Sequence, residues 1–104
     1  MPVTTIASRD IHVDGEGFLT NYDEWDPELA EQLAKQIGVD LTDRHWTAIT
    51  FLREDYAARA ETPGLRRVSH GAGIPTKELF TLFPKKPAKK MAYIAGLPKP
   101  QGCV

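Results

Sequence analysis

The sequence predicts a mainly α domain with a small N-terminal β-hairpin, packed as a compact orthogonal helical bundle and ending in a flexible C-terminal arm. Three observations carry this expectation. Apolar residues recur at helical spacing, in Leu29, Leu33 and Ile37 and again in Trp46, Ile49, Leu52 and Tyr56. Strand-like alternation appears in Ile11-His12-Val13 and returns in Phe18-Leu19-Thr20. Proline and glycine punctuate the chain between these runs. With 104 residues there is room for one modest core, so residues 1–104 read as a single domain.

Taken in order, residues 1–9 carry no pattern and are expected to be disordered or loosely attached. Ile11–Val13, the turn Asp14-Gly15-Glu16-Gly17 and Phe18–Thr20 form the expected hairpin. An isolated hairpin is marginal in water, so Ile11 and Phe18 must pack on helices. His12 takes an outward, solvated position. Asp26-Pro27 supplies an N-cap carboxylate and a proline at the first helical position, and Gly38 stops that helix. Thr42 caps the next helix, which runs to about Ala60 with Trp46, Ile49, Leu52 and Tyr56 inward and Phe51 widening the face. Trp25 and Trp46 read as core anchors.

Thr62-Pro63-Gly64 is a turn. Leu65-Arg66-Arg67-Val68 opens a short helix, Gly71 to Pro75 is a tight link, and Thr76 caps a second short helix through Phe83. The two resemble a helix-turn-helix. As a reading surface for base edges the second is poor, because Leu79, Phe80, Leu82 and Phe83 are half of its eight residues. A structural pair is the better reading. Pro84 ends it, Pro87 opens the last helix with Met91 and Ile94 inward, and Gly96 stops that helix and releases the arm, residues 97–104.

Composition bounds the chemistry. No apolar run approaches a membrane span, and Met1-Pro2-Val3-Thr4 lacks a basic-then-apolar leader, so a cytoplasmic location without membrane contact is expected. The single cysteine leaves no internal disulfide and no multi-cysteine metal site. His45 has no second histidine at ligand spacing, so neither a metal nor a cofactor is expected. The net charge is −1, but residues 1–61 balance to −8 and residues 62–104 to +7. A positive face around the arm would favour a thiolate and attract acidic partners; internal complementarity between the two halves is the other reading. Lys85, Lys86, Lys89 and Lys90 surround the start of the last helix, where they could bind phosphates, tRNA included, or an acidic protein, or form a solvated face.

That single cysteine, Cys103, is the strongest nucleophile and stands next to the last residue. Pro98 and Pro100 hold the chain extended before it, and Gly102 leaves a swivel beside the sulfur. In a polyproline-like conformation the steps from Gly96 to Cys103 span roughly 20 Å. An arm of that kind can carry a thiol into another protein's cleft, although composition alone favours an incidental exposed cysteine on a frayed tail. A nucleophile on such an arm lacks the fixed neighbours of an enclosed active site, which suits a carrier better than an enzyme. The neighbouring Val104 carboxylate opposes thiolate formation, so a cation must counter it: Arg66 first, then Arg67 or Lys99.

The stretch Leu82-Phe83-Pro84-Lys85-Lys86-Pro87-Ala88-Lys89-Lys90, with Ile94-Ala95-Gly96-Leu97-Pro98-Lys99-Pro100-Gln101-Gly102-Cys103-Val104, closely resembles the C-terminus of the DsrC/TusE family of sulfur-relay proteins. The resemblance extends to Asp14-Gly15-Glu16-Gly17-Phe18-Leu19, to Trp25, to His45-Trp46 and Phe51-Leu52-Arg53, and to Pro63 with Arg66, which matches a family arginine. It implies that Cys103 carries sulfur between partners. Many DsrC proteins have a second cysteine eleven residues earlier; here that position is Ala92, as in TusE and other single-cysteine members. The short link between Arg66 and Phe83 is more DsrC-like.

The expected function is therefore a sulfur carrier that accepts sulfane sulfur as a persulfide on Cys103 and delivers it to a partner enzyme. The implied partners are a sulfurtransferase donor and an acceptor of the tRNA-thiolase or sulfite-reductase class, with tRNA contacted at most indirectly. The chain is expected to be a monomer, dimerising through Cys103 on oxidation. A reading of a different class is a regulator that binds DNA through residues 64–83 and senses sulfur at Cys103.

Overall fold

The computed structural model describes residues 3–6 and 9–100. Strands β1 (Val3–Ile6) and β2 (Arg9–His12) are followed by a 3-10 turn (Tyr22–Glu24) and five helices: α1 (Pro27–Gln36), α2 (Asp43–Arg59), α3 (Leu65–Ala72), α4 (Thr76–Leu82) and α5 (Pro87–Ile94). The mainly helical class is as the sequence predicts; the strands are placed differently. β1 pairs antiparallel with β2, Val3 opposite His12 and Ile6 opposite Arg9. The stretch expected to be unpatterned thus supplies a strand, and its composition explains why. Val3, Thr4, Thr5 and Ile6 are all β-branched and favour extended backbone.

The expected return strand contributes a single bridge, Val13 to Leu19. Between them Asp14 closes the turn. Its Oδ1 accepts from the backbone N–H groups of Glu16 at 2.9 Å and Phe18 at 3.0 Å. His12 is not simply solvated. Its backbone N–H donates to Glu24 Oε1 at 2.8 Å, and its Nδ1 lies 2.7 Å from Glu24 Oε2.

Helix boundaries follow local chemistry. Asp26 accepts from the Leu29 N–H at 2.8 Å, with Pro27 at the first helical position. Thr42 precedes α2, and the residue three positions on, His45, reaches back so that its Nδ1 accepts from the Thr42 N–H at 3.0 Å. The other ring nitrogen, Nε2, lies 2.7 Å from the Leu82 carbonyl oxygen and so carries the proton. His45 is a buried neutral strut between α2 and α4, stacked edge-on against Phe83.

The most deeply buried stripe of α2 is His45, Ala48, Ile49, Leu52 and Asp55, whereas Trp46, Phe51 and Tyr56 are only partly buried. The two polar members of that stripe are satisfied, Asp55 by Arg67 at 2.6 and 2.9 Å and by Arg59 at 3.2 Å. Around Ile49 and Leu52 gather Val68, Ile74, Leu79, Phe83, Met91 and Ile94, all fully buried. Each such side chain contributes roughly 1.5–3 kcal/mol by leaving water. A smaller cluster joins Ile11, Val13 and Leu19 to Leu29 and Leu33, and Trp25 and Tyr93 pack on both clusters.

Candidate functional site

The site is the root of the C-terminal segment, and it begins where α5 stops. The Leu97 N–H donates to the Ala92 carbonyl at 3.0 Å and the Gly96 N–H to the Tyr93 carbonyl at 3.3 Å, the paired bonds of a Schellman turn. Such a turn needs a left-handed residue, and Gly96 has φ +71°. A side chain there would also collide with Trp25 and Leu19.

Two side chains from distant elements hold this turn. Trp25 Nε1 donates to the Ile94 carbonyl at 2.8 Å. Arg53 of α2 donates to the Ala95 carbonyl at 2.7 Å and to the Tyr22 carbonyl at 3.2 Å. Its guanidinium lies between two rings, 3.9 Å from the Tyr22 centroid and 4.0 Å from that of Trp25. Burial pushes the Arg53 pKa down; the side chain remains a cation. The last carbonyls of α5, which have no partner within the helix, are thus met by an indole and a guanidinium.

Beyond the turn, Leu97 is fully buried and Pro98 is tied by its carbonyl to Thr62 Oγ1 at 2.9 Å. Lys99 is exposed and reaches Glu16 at 3.2 Å, and Pro100 is buried. Residues 97–100 therefore lie against the body, bonded to the α2–α3 turn and to the Asp14–Phe18 loop. Cys103 and Val104 lie outside the described residues, as do Gln101 and Gly102.

The three cations expected near the sulfur differ in how they are engaged. Arg67 is committed to Asp55, and Lys99 to Glu16. Arg66 is exposed near the start of α3 and makes no ion pair or hydrogen bond with another described residue. With Phe51, Arg67, His70 and Gly71 it lines a cavity of about 560 Å3. Lys85, Lys86, Lys89 and Lys90 form a separate group around the start of α5 and line a groove of about 300 Å3. On α4, Thr76, Lys77, Phe80 and Thr81 are exposed, while Glu78 is held by Arg44 at 2.6 and 2.8 Å. That leaves duplex DNA one cation on the helix that would read it.

Among the described residues no group of three or more histidine, cysteine, aspartate or glutamate side chains is placed to hold a metal ion. No helix among them is long and apolar enough to cross a membrane. Sequence reasoning missed Arg53 and Thr62, and it read Trp25 as a packing residue only. The available signal was the indole N–H, which needs an acceptor when partly buried.

Fold and site together define a small helical domain that clamps the root of a cysteine-bearing C-terminal segment. Residues 5–104 match the family described as DsrC like protein, and the chain belongs to that family. It is 37% identical over 105 residues to the dissimilatory-type sulfite reductase gamma subunit of Nitratidesulfovibrio vulgaris, with all of both chains covered. It is 36% identical over 111 residues to the sulfurtransferase TusE of Photorhabdus laumondii, again over all of both chains. The NMR structure of Allochromatium vinosum DsrC is similar with a TM-score of 0.85 and 38% identity, covering 98% of this chain and 97% of that one.

Proposed function

We propose that this protein is a sulfur carrier whose working atom is the Cys103 sulfur. Its relatives named as a sulfite reductase gamma subunit and as a sulfurtransferase support a sulfur-relay role. The observation that carries the reading is the clamp on the turn at Gly96. Trp25, Arg53 and Thr62 hold the chain as far as Pro98, and Cys103 stands three residues beyond buried Pro100. Three residues reach about 10 Å when extended, enough to enter a partner's cleft from a fixed root.

In the loading step the Cys103 thiolate attacks the outer sulfur of a donor persulfide. The donor S–S bond breaks, the donor leaves as a thiolate, and Cys103 becomes a persulfide with no net oxidation. In delivery an acceptor thiolate attacks that outer sulfur and Cys103 leaves as the thiolate. Of the three cations expected near the sulfur, Arg66 is the one without a carboxylate among the described residues, and it is the one to favour the thiolate against the Val104 carboxylate. The donor is a sulfurtransferase and the acceptor an enzyme of the tRNA-thiolating or sulfite-reductase class. The protein acts as their co-substrate, in the cytoplasm. With Ala92 where many relatives have a second cysteine, discharge requires an external thiol.

Intact-mass measurement after incubation with glutathione persulfide tests this. The wild type gains one sulfur atom, mapped to Cys103, and Cys103→Ser gains none while keeping its circular dichroism. Equal loading of the serine variant, or no loading of the wild type, overturns the carrier reading.

A further inference from the structure

The four lysines at the start of α5 rim a groove whose floor is apolar. Phe18, Ile37 and Tyr93 make the floor, and Lys85, Lys86, Lys89 and Lys90 the remaining lining. Among the described residues no acidic side chain lines it. None of the four ammonium groups makes an ion pair or hydrogen bond with another described residue. By contrast Arg44, Arg59, Arg67 and Lys99 each have a carboxylate partner, whereas Arg66 and Lys77 stand singly without one among the described residues. Four uncompensated positive charges so close together repel one another, and an external anion removes that cost.

The backbone at the rim adds a second observation. Lys85 has φ +75°, a left-handed conformation that L-residues adopt at a cost, and the Lys86 N–H donates across it to the Pro84 carbonyl at 3.1 Å. Glycine would take this position without strain, yet the chain holds a lysine there. The floor beneath is preformed. Phe18 and Tyr93 meet edge to face with centroids 6.0 Å apart, and the Tyr93 hydroxyl donates to Gln36 Oε1 at 3.3 Å.

We infer that this groove docks an acidic segment of a partner protein, with one large apolar side chain seated on Phe18, Ile37 and Tyr93 and flanking carboxylates meeting the four lysines. The volume of about 300 Å3 holds one or two such side chains. Buried apolar contact surrounded by complementary charge is the anatomy of a protein interface. Nucleic acid is served less well, because the floor offers phosphates nothing polar and the Tyr93 ring is pinned rather than free to stack on a base. The inference goes beyond the sulfur-carrier reading: it assigns a second surface, which shares only Tyr93 with the Gly96 turn, through its ring where the turn uses its carbonyl.

The full-length protein, isotope-labelled, is titrated by NMR with a synthetic peptide in which one phenylalanine is flanked on both sides by glutamates. Saturable shifts are expected at Phe18, Ile37, Tyr93 and the four lysines. Affinity should fall by roughly tenfold with Lys86→Glu combined with Lys89→Glu, and similarly when the peptide phenylalanine becomes alanine. No saturable binding, or binding indifferent to both changes, overturns the proposal. So does a single-stranded RNA oligomer that displaces the peptide from these residues with higher affinity. Glutathione persulfide needs no docking surface, so the double lysine variant is expected to load Cys103 like the wild type. Normal loading with lost peptide binding supports the docking site, whereas lost loading in a folded double variant would overturn the separation of docking from chemistry.

Discussion

The indole nitrogen of Trp25 donates to the carbonyl oxygen of Ile94 at 2.8 Å, joining residues 69 apart in sequence. This bond closes the end of α5 at the point where the chain turns toward Cys103. It also places the Trp25 ring against Gly96, so the same side chain that satisfies one backbone group forbids a Cβ on the next residue but one. Packing and hydrogen bonding at the root are one arrangement.

Gly96→Ala is expected to destabilise the protein by more than about 1 kcal/mol, from the left-handed backbone alone, and by more again because the new methyl meets Trp25 and Leu19. Urea denaturation checks this. A midpoint equal to that of the wild type would show that the turn is not held as described.

Arg53→Lys keeps the charge but loses the planar stack between Tyr22 and Trp25 and cannot reach both the Ala95 and Tyr22 carbonyls with the same fork. A loss of roughly 1–3 kcal/mol is expected by denaturant titration, with Arg53→Ala costing more. Equal stability of the lysine variant would show that charge alone, not the flat guanidinium, holds the end of α5.

Acid should unfold the protein through two carboxylates. The Arg67 guanidinium, helped by Arg59, holds Asp55 below its ordinary value against the opposing effect of burial. The backbone N–H of His12 does the same for Glu24, with the His12 ring adding to it. Folded-state values below the unfolded ones mean stability that is complete above the ordinary carboxylate range. It is lost as pH falls from about 4 through the lower folded values. Thermal melting followed from neutral to acid pH should show that fall, and Asp55→Asn should begin less stable and fall less steeply. Parallel slopes for the two proteins would exclude Asp55 as a source.

Much of the helical framework was legible locally. Asp26-Pro27, Thr42, Pro87 and Gly96 mark helix ends because capping and ring geometry act within a few residues. The strand at Val3–Ile6 was missed: four β-branched residues were a signal, but a pattern-based reading looks for alternation, and this stretch has none to offer. The end of α2 near Ala60 is as expected, although the left-handed cap there is taken by alanine, with φ +56°, in place of glycine. The role of His45 was hidden for another reason. A histidine in the third helical position gives no local sign that its second nitrogen will meet Leu82, 37 residues later.

By itself the sequence determined the helical class, the helix starts and the single thiol at Cys103, because residue identity and short-range spacing suffice for each. Tertiary structure alone decided which charges are spent and which remain free. Arg66 and Arg67 are neighbours of the same type, yet α3 turns Arg67 onto Asp55 and leaves Arg66 without a carboxylate among the described residues. It likewise decided that the chain from Ile94 to Lys99 lies against the body, because Trp25, Arg53 and Thr62 donate to the Ile94, Ala95 and Pro98 carbonyls and Glu16 meets Lys99. No local pattern ties those residues to the C-terminus; only the folding of α2 and the Trp25 segment around α5 brings them there.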